Sequence, residues 1–203
     1  MIPLNLEPFI FDCEVFAYDW LFVFKNKVTG EYTEIWNDNE AVEQFMTQEP
    51  LLAGFNNKHY DQFILKAVLS GFTPEEIKAV NDFIIVGGHE GWEYAPLRDC
   101  GIFFDQYDLM DDCQMGLSLK AIEAHLGMDI RETTVPFNID RPLTEDEKRE
   151  VEFYCRHDVD ATDRLDDLRQ GYLFSKLTLG REKGLYPAKA LYMTNAKLTA
   201  AYL

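Results

Sequence analysis

The first 36 residues constrain the fold of this chain more than any other stretch, because they are rich in aromatic and β-branched residues. This composition favours strands over residues 9–24 and 32–36, which a turn at residues 28–31 separates. The chain therefore opens with a predicted meander of strands. Asp12 and Glu14 are unusual within the first of them, because a central strand seldom tolerates buried charge.

Short apolar strands and helical patterns alternate after the meander. Helices are predicted over residues 39–48, 59–69, from 73 onward, 119–126, 145–176 and 190–203, and strands over 51–55 and 102–108. Thr144 and Glu147 form a predicted capping box at the start of the longest helix. This order of elements indicates an α/β protein whose sheet contains strands of mixed direction.

The composition is that of an ordinary globular protein. A chain of 203 residues with 47% hydrophobic content can bury a substantial core as a single domain. No uncharged apolar run approaches the roughly 18 residues of a membrane span, so no membrane association is expected. The N-terminus lacks the basic region of a signal peptide. Four scattered cysteines, without a Cys-x-x-Cys pair, suit buried thiols in a reducing cytoplasm, which is the expected location.

Charge is strong and unevenly distributed. The net charge of −17 argues against a simple electrostatic nucleic-acid binder, because phosphate contacts require Lys and Arg. From Arg169 onward, however, six basic residues and one acid give +5, which leaves −22 for residues 1–168. The acidic part suits multivalent cations and the basic end suits an anionic partner. The alternative for most of the acids is a solvated surface.

Two carboxylates in the first strand suggest metal binding. Side chains alternate along a strand, so Asp12 and Glu14 share one face. Mg²⁺ takes oxygen ligands and usually one or two carboxylates, so a pair of ions about 4 Å apart needs three or four of them. Asp61 and Asp158 are candidates for the remainder. Tyr154 lies one helical turn before Asp158 and therefore on the same helix face.

Each of these residues also has an ordinary structural explanation. The chain has 36 acids, so an Asp-x-Glu pair arises readily by chance. Asp61 suits the first turn of a helix, where the helix dipole favours an acid, and Asp158 suits a solvated helix face. Tyr154 suits a half-buried aromatic residue whose hydroxyl reaches water. The full combination is much less expected by accident than any one member.

The combination also resembles a known family. Its three motifs are Phe11-Asp12-Cys13-Glu14, Asn56-x-x-x-Tyr60-Asp61 and Tyr154-Cys155-x-x-Asp158. In this order and spacing they resemble motifs of the 3′–5′ exonucleases that carry four acidic residues and a tyrosine, the DEDDy type. The likeness is greatest to the proofreading domain of phage family B DNA polymerases. Tyr60 departs from the family's usual Phe, and Phe153 stands where the histidine subclass has His.

The resemblance implies a fold, cofactors and site residues. The fold would be RNase H-like (DnaQ-like), with a five-stranded mixed sheet flanked by helices. Two divalent ions, Mg²⁺ or Mn²⁺, would be held by Asp12, Glu14, Asp61 and Asp158, with Tyr154 orienting the attacking water. Residues 118–122 resemble a Ser-Leu-x-x-hydrophobic motif that contacts single-stranded DNA, and a simple helix cap explains them equally well. The expected DNA contacts are Asn56, Tyr60, Ser118, Leu119, Lys120 and Arg131.

The implied activity is hydrolysis of phosphodiester bonds at the 3′ end of single-stranded DNA. A proofreading domain works with a DNA polymerase module, which would lie in the same chain or in a partner. A phage-encoded protein would act in the host cell cytoplasm. Two alternatives remain open, namely an exoribonuclease of the same superfamily and a non-catalytic interaction module associated with a polymerase. The carboxylate cluster argues against the silent module, because clustered charge is costly.

Residues 1–180 are expected to form the exonuclease domain. Residues 181–203 carry basic residues and an apolar helical pattern that stops without a cap. This segment is expected to be the start of a following region, or a helix that packs on something outside the chain.

Overall fold

The computed structural model describes residues 7–113 and 116–202. The strands are β1 (Phe9–Val15), β2 (Trp20–Asn26), β3 (Tyr32–Trp36), β4 (Leu52–Gly54) and β5 (Gln106–Asp108). The α-helices are α1 (Asn39–Met46), α2 (Asp61–Leu69), α3 (Pro74–Ile85), α4 (Leu119–Leu126), α5 (Glu145–Glu182), α6 (Pro187–Tyr192) and α7 (Asn195–Tyr202). Short 3₁₀ turns lie at Gly91–Glu93, Ala95–Leu97 and Leu109–Asp112.

The five strands form one mixed sheet in the order β3-β2-β1-β4-β5. The meander pairs antiparallel, whereas β1–β4 and β4–β5 pair parallel. Strand β1 is central, so its apolar residues pack into two hydrophobic cores, one on each face of the sheet. Phe11 packs with residues of α1, α2 and α3 on one face, and Ile10 packs with residues of α4 and α5 on the other. The predicted α/β class, with a five-stranded mixed sheet flanked by helices, is confirmed.

Local capping fixes where several helices begin. Asp38 accepts a hydrogen bond from the Ala41 amide, and Ser118 accepts one from the Ala121 amide. The capping box of Thr144 and Glu147 starts α5. That helix runs to Glu182, six residues past its predicted end.

One strand is shorter than predicted. Residues 102–105 have no regular structure, and β5 begins only at Gln106. The physical reason is that β5 pairs with β4, which has three residues, so the ladder can extend no further. The predicted helix at 59–69 likewise starts two residues late, because the amides of His59 and Tyr60 turn back to the Asn56 carbonyl.

The C-terminal segment packs on the same body as the sheet. Helix α6 contacts α5 and β5, and Lys176 donates a hydrogen bond to the Leu191 carbonyl at 2.8 Å. A Cβ on Gly180 would lie 2.4 Å from the Ala190 Cβ, so glycine permits this close approach of α6 to α5. Among the described residues, none of the helices combines the length and the apolar character needed to cross a bilayer.

Candidate metal centre

Strand β1 brings Asp12 and Glu14 to the face of the sheet that α5 covers. Within the described residues, β4 pairs with β1 at Phe9 and Ile10, so both carboxylates lie past the last paired residue. Glu14 is buried and Asp12 is partly buried. The early end of β4 therefore opens the sheet beside these two acids, where side chains from the helices can approach.

Asp61 enters this opening from the first turn of α2. The Cys13 thiol donates a hydrogen bond to Asp61 Oδ1 at 3.2 Å, which links the second motif to the first. The chain reaches this position through a tight loop after β4. A Cβ on Gly54 would lie 2.8 Å from the Asn57 Cβ, so a glycine is needed for the loop to fold back.

Asp108 holds that loop in place, and the sequence argument did not identify it. Its carboxylate is buried and accepts hydrogen bonds from the amides of Asn56 at 2.9 Å and Lys58 at 3.0 Å. The available signal was its position at the carboxyl end of a predicted strand. Its partners lie about 50 residues away, so only the pairing of β5 with β4 brings them together.

Helix α5 supplies the third side of the cluster. Tyr154 and Asp158 share a face as predicted, and burial together with the nearby Asp158 charge raises the pKa of the half-buried Tyr154 hydroxyl. The Cys155 thiol, on the same helix, lies 3.7 Å from Asp12 Oδ2 and donates to it. The fold thus brings Asp12, Glu14, Asp61, Tyr154 and Asp158 together from three distant segments.

The acids of the cluster lie near enough to raise one another's pKa. Burial raises the pKa of Asp12 well above its ordinary value, and the negative charges of Asp61, Glu14 and Asp158 raise it further. Burial also raises the pKa of Glu14, with further increases from Asp158 and Asp61 and a partial opposing effect from Lys120. Burial raises the pKa of Asp61 to about 7. When these carboxylates are ionised, their negative charges are therefore only partly balanced by nearby positive charge.

The donor atoms fit a metal ion. Ligand atoms of Asp12, Glu14 and Cys155 all lie within 4.8 Å of one another. Burial and the nearby carboxylates raise the pKa of the Cys155 thiol well above its usual value, so it stays protonated beside Asp12. The remaining donors are carboxylate oxygens, which are the ligands that hard divalent cations prefer. This buried cluster can therefore hold a metal ion.

Lys120, which was expected as a DNA contact, reaches the cluster from α4. Its Nζ donates to Asp158 Oδ1 and lies 4.8 Å from the centroid of the Tyr154 ring. Glu123, fully buried, contacts the same amine at 3.4 Å and was missed, because nothing in its helical spacing distinguishes it. His157 Nε2 lies 3.8 Å from Glu123 Oε1 and so borders this group.

The other predicted DNA contacts lie at different places around the cluster. The Tyr60 ring borders the cluster, and its hydroxyl donates to Asn81 Oδ1 at 2.7 Å. Asn56 holds a left-handed backbone conformation, with φ of 66°, in the loop that Asp108 fixes. Ser118 is the exposed N-cap of α4, and Leu119 is the first residue of that helix.

Arg131 is not brought to the cluster by the contacts that the structure describes. Its guanidinium lies 3.6 Å from Asp129 and 5.2 Å from the centroid of the exposed Phe153 ring. Phe153 and Tyr154 are adjacent on α5, and adjacent residues of a helix point in different directions.

Comparisons of the chain with protein-family models, with curated proteins and with solved structures found no match.

Proposed function

We propose that this protein is a metal-dependent 3′–5′ exonuclease of the DEDDy type, with an RNase H-like fold, that shortens single-stranded DNA from its 3′ end. The observation that carries the proposal is the convergence of Asp12, Glu14, Asp61 and Asp158 beside the Tyr154 hydroxyl. These residues come from three motifs more than 40 residues apart. A mixed five-stranded α/β sheet is compatible with that fold.

Asp12, Glu14, Asp61 and Asp158 would hold two divalent ions, Mg²⁺ or Mn²⁺. When bound, such ions acidify a water molecule and stabilise the charge that develops on the reacting phosphate. The mutual repulsion recorded in the raised pKa values of Asp12 and Glu14 supports this assignment. Four carboxylates in one buried place are costly unless positive charge joins them.

Tyr154 is assigned to orienting the attacking water rather than to accepting its proton. Burial and the charges of Asp158 and Glu14 raise the pKa of this phenol, so it remains protonated near neutral pH. A protonated phenol carries no negative charge with which to take the proton of the water, so it is not assigned as the general base. Its role would be to align water with the scissile phosphorus.

Binding of the 3′ end of the DNA strand is assigned to the residues around the opening in the sheet. The Tyr60 ring, fixed through its hydroxyl to Asn81, offers a stacking surface for a terminal base. Asn56, Ser118 and Leu119 are assigned to contacts with the last nucleotides, and Lys120 to offsetting part of the cluster's negative charge. Such contacts read the shape of a single strand and no particular sequence.

The test follows a 5′-labelled single-stranded oligonucleotide over time with Mg²⁺ or Mn²⁺. Stepwise loss from the 3′ end is expected, and EDTA should abolish it. The double variant Asp12→Asn/Glu14→Gln should lose at least about 100-fold in rate, since removal of metal ligands removes the water activation. The control Asp146→Asn/Glu145→Gln changes two exposed acids of α5 by the same chemistry and should retain full activity.

The same assay separates the alternatives. Degradation of an RNA oligonucleotide in preference to DNA would assign the protein to the exoribonucleases. If neither strand shortens with either ion while the protein is folded, the nuclease proposal fails and a non-catalytic module remains. The proposed biological setting is proofreading, as a domain or subunit of a phage-type DNA polymerase.

A further inference from the structure

A second feature of the surface lies outside the acid cluster. Two adjoining concavities, of about 370 and 570 Å³, flank α2 and are bounded by α6 and the start of α7. Both are lined by Gln62, Lys66, Lys189 and Tyr192, so they form one continuous depression. Each lies in the size range of ligand pockets, roughly 300–1,000 Å³. We refer to this depression as the lysine–aromatic groove.

The groove is unusual in its charge. Four lysines (Lys58, Lys66, Lys189 and Lys197) and three acids (Glu90, Asp105 and Asp111) line it, so its lining carries +1 in a chain whose net charge is −17. Lys58 is paired with Asp111, which leaves Lys66, Lys189 and Lys197 as the lysines that can meet an anion. Lys189 and Lys197 are exposed and belong to the basic C-terminal segment. Concentrating lysines in one depression of an acidic protein favours an anionic ligand there, because the rest of the surface repels one.

The groove is also rich in exposed aromatic rings. Phe103 is 89% exposed, Tyr186 64%, Trp92 63% and Tyr192 46%, and all four line the two concavities. Monomeric proteins rarely leave so much apolar ring surface in contact with water unless it binds something. The negative charge of Asp105 raises the pKa of Tyr186, so the hydroxyl of this ring lies near that carboxylate.

The groove is continuous with the loop that carries Asp61. Lys58 binds Asp111, donates to the Tyr192 carbonyl at 2.6 Å, and lies 4.4 Å from the centroid of the Tyr192 ring. Gln62 lines the groove and directly follows Asp61. One end of the groove is therefore formed by residues that lie next to Asp61 in the chain.

We propose that the lysine–aromatic groove binds single-stranded nucleic acid, with phosphates at its lysines and bases stacked on its exposed rings. Lysines interleaved with aromatic rings are the usual means of holding a single strand without reading its sequence. An acidic peptide would use the lysines and leave the four planar rings without matching partners. The idea that the same strand continues to the acid cluster rests on the proposed function, whereas binding in the groove does not.

The first test measures binding in EDTA, so that hydrolysis plays no part. Fluorescence anisotropy would follow a labelled oligothymidylate of about 16 nucleotides, the upper end of known single-strand site sizes. Lys189→Glu/Lys197→Glu should weaken binding at least about tenfold and flatten its salt dependence, because each phosphate contact contributes to the salt slope. The single variants Lys189→Glu and Arg164→Glu each reverse one charge, and Arg164→Glu, at an exposed position of α5 outside the groove, should have little effect.

The second test uses the tryptophans as reporters. Of the three tryptophans, Trp20 is 1% exposed, Trp36 is partly buried outside the groove and Trp92 is 63% exposed. Quenching by added oligothymidylate should therefore come mainly from Trp92 and should be largely lost in Trp92→Phe. Tyr186→Ala should weaken binding about fivefold or more, through loss of one stacked base, whereas Phe174→Ala on α5 should not.

Three results would overturn the proposal. One is equal loss of affinity in Arg164→Glu and Lys189→Glu. Another is a quench that Trp92→Phe leaves unchanged. The third is poly-glutamate competing as well as the oligonucleotide at equal charge. Because the measurements are made in EDTA, a protein that binds in the groove but never hydrolyses DNA would refute the proposed function alone.

Discussion

At the residue scale, the Tyr154 hydroxyl separates metal binding from chemistry. The hydroxyl lies near Asp158 but is not one of the carboxylates, so its loss should leave the ion-binding groups in place. We expect Tyr154→Phe to lower the rate of DNA hydrolysis by about 10- to 100-fold, which is the range of losing a group that positions water. Mn²⁺ affinity, measured by calorimetric titration, should change less than about threefold.

Tyr94→Phe is the matched control for this prediction, because Tyr94 packs edge-on against Phe83 rather than at the cluster. It should leave the rate unchanged. Equal activity in Tyr154→Phe and the native protein would remove the phenol from the catalytic assignment. A parallel fall in Mn²⁺ affinity would mean that the hydroxyl helps to hold the carboxylates instead.

Asp61 makes stability depend on pH in a defined direction. Burial raises its pKa to about 7, from an ordinary value of 3.8. Between those values the folded chain keeps a proton that the unfolded chain has released, so the free energy of unfolding falls as pH rises towards 7. Asp61→Asn removes this loss. At pH 8 in EDTA, its Tm should exceed that of the native protein by at least about 2 °C, equivalent to roughly 1 kcal/mol for a domain of this size.

The comparison at pH 5 supplies the check. There Asp61 is largely protonated in the folded protein, so the two Tm values should move closer together. Circular dichroism melts at both pH values measure the difference, and Asp146→Asn, at an exposed acid, should show neither effect. A constant separation between native protein and Asp61→Asn would show that ionisation of Asp61 does not set the pH dependence.

At the scale of elements, α5 carries Tyr154 and Asp158 of the acid cluster, so the position of these two residues depends on how α5 is attached to the sheet. Lys27 on the chain just after β2 contacts Asp163 at 2.6 Å and the fully buried Asp166 at 3.1 Å. Lys25 contacts Asp163 as well, at 2.6 Å. The Tyr107 hydroxyl, from edge strand β5 on the face of the sheet that α5 covers, donates to Asp166 at 2.8 Å. These contacts fix the helix against β2 and β5.

We expect Lys27→Met to lower the free energy of unfolding by about 1–3 kcal/mol, because it removes the lysine that contacts the fully buried Asp166, whereas Asp163 keeps Lys25. Urea unfolding measures this change. Arg149→Met removes an exposed Arg149–Asp146 pair and should cost less than about 0.5 kcal/mol. Equal losses in the two variants would mean that the buried contacts do not hold α5 to the sheet.

Elements whose signals are local could be predicted from the sequence. Asp38, Thr73 and Thr144 cap their helices through residues three positions away, so the pattern itself contains both partners. The shared faces of Asp12 with Glu14, and of Tyr154 with Asp158, likewise follow from strand and helix periodicity.

Features that depend on distant partners could not be predicted in this way. The length of β5 is set by β4, and Asp108 binds amides about 50 residues away. Lys120 reaches Asp158 across 38 residues, and no local spacing distinguishes it from Arg131, which contacts Asp129 and Phe153 instead. Their assignments require coordinates in which the elements are already packed.

At the scale of the whole molecule, charge is the dominant quantity. The net charge of the chain is −17. In the acid cluster, burial raises the pKa of Asp12 and Glu14 most, and the charges of neighbouring carboxylates raise it further. A divalent ion that binds only the folded protein stabilises it by mass action, by about 2.7 kcal/mol at a concentration 100 times the Kd. Protons compete for the same carboxylates, so this stabilisation should depend on pH.

We therefore expect saturating Mn²⁺ to raise the Tm by about 5–10 °C at pH 8, using roughly 2–4 °C per kcal/mol for a domain of this size. At pH 5.5 the rise should be less than about half as large, because Asp61 and its neighbours hold protons there. The measurement is differential scanning fluorimetry at constant ionic strength. Asp12→Asn/Glu14→Gln should lose most of the shift, and Asp146→Asn/Glu145→Gln should keep it. A shift of the same size in both double variants would place the bound ion on the exposed acidic surface rather than in the cluster.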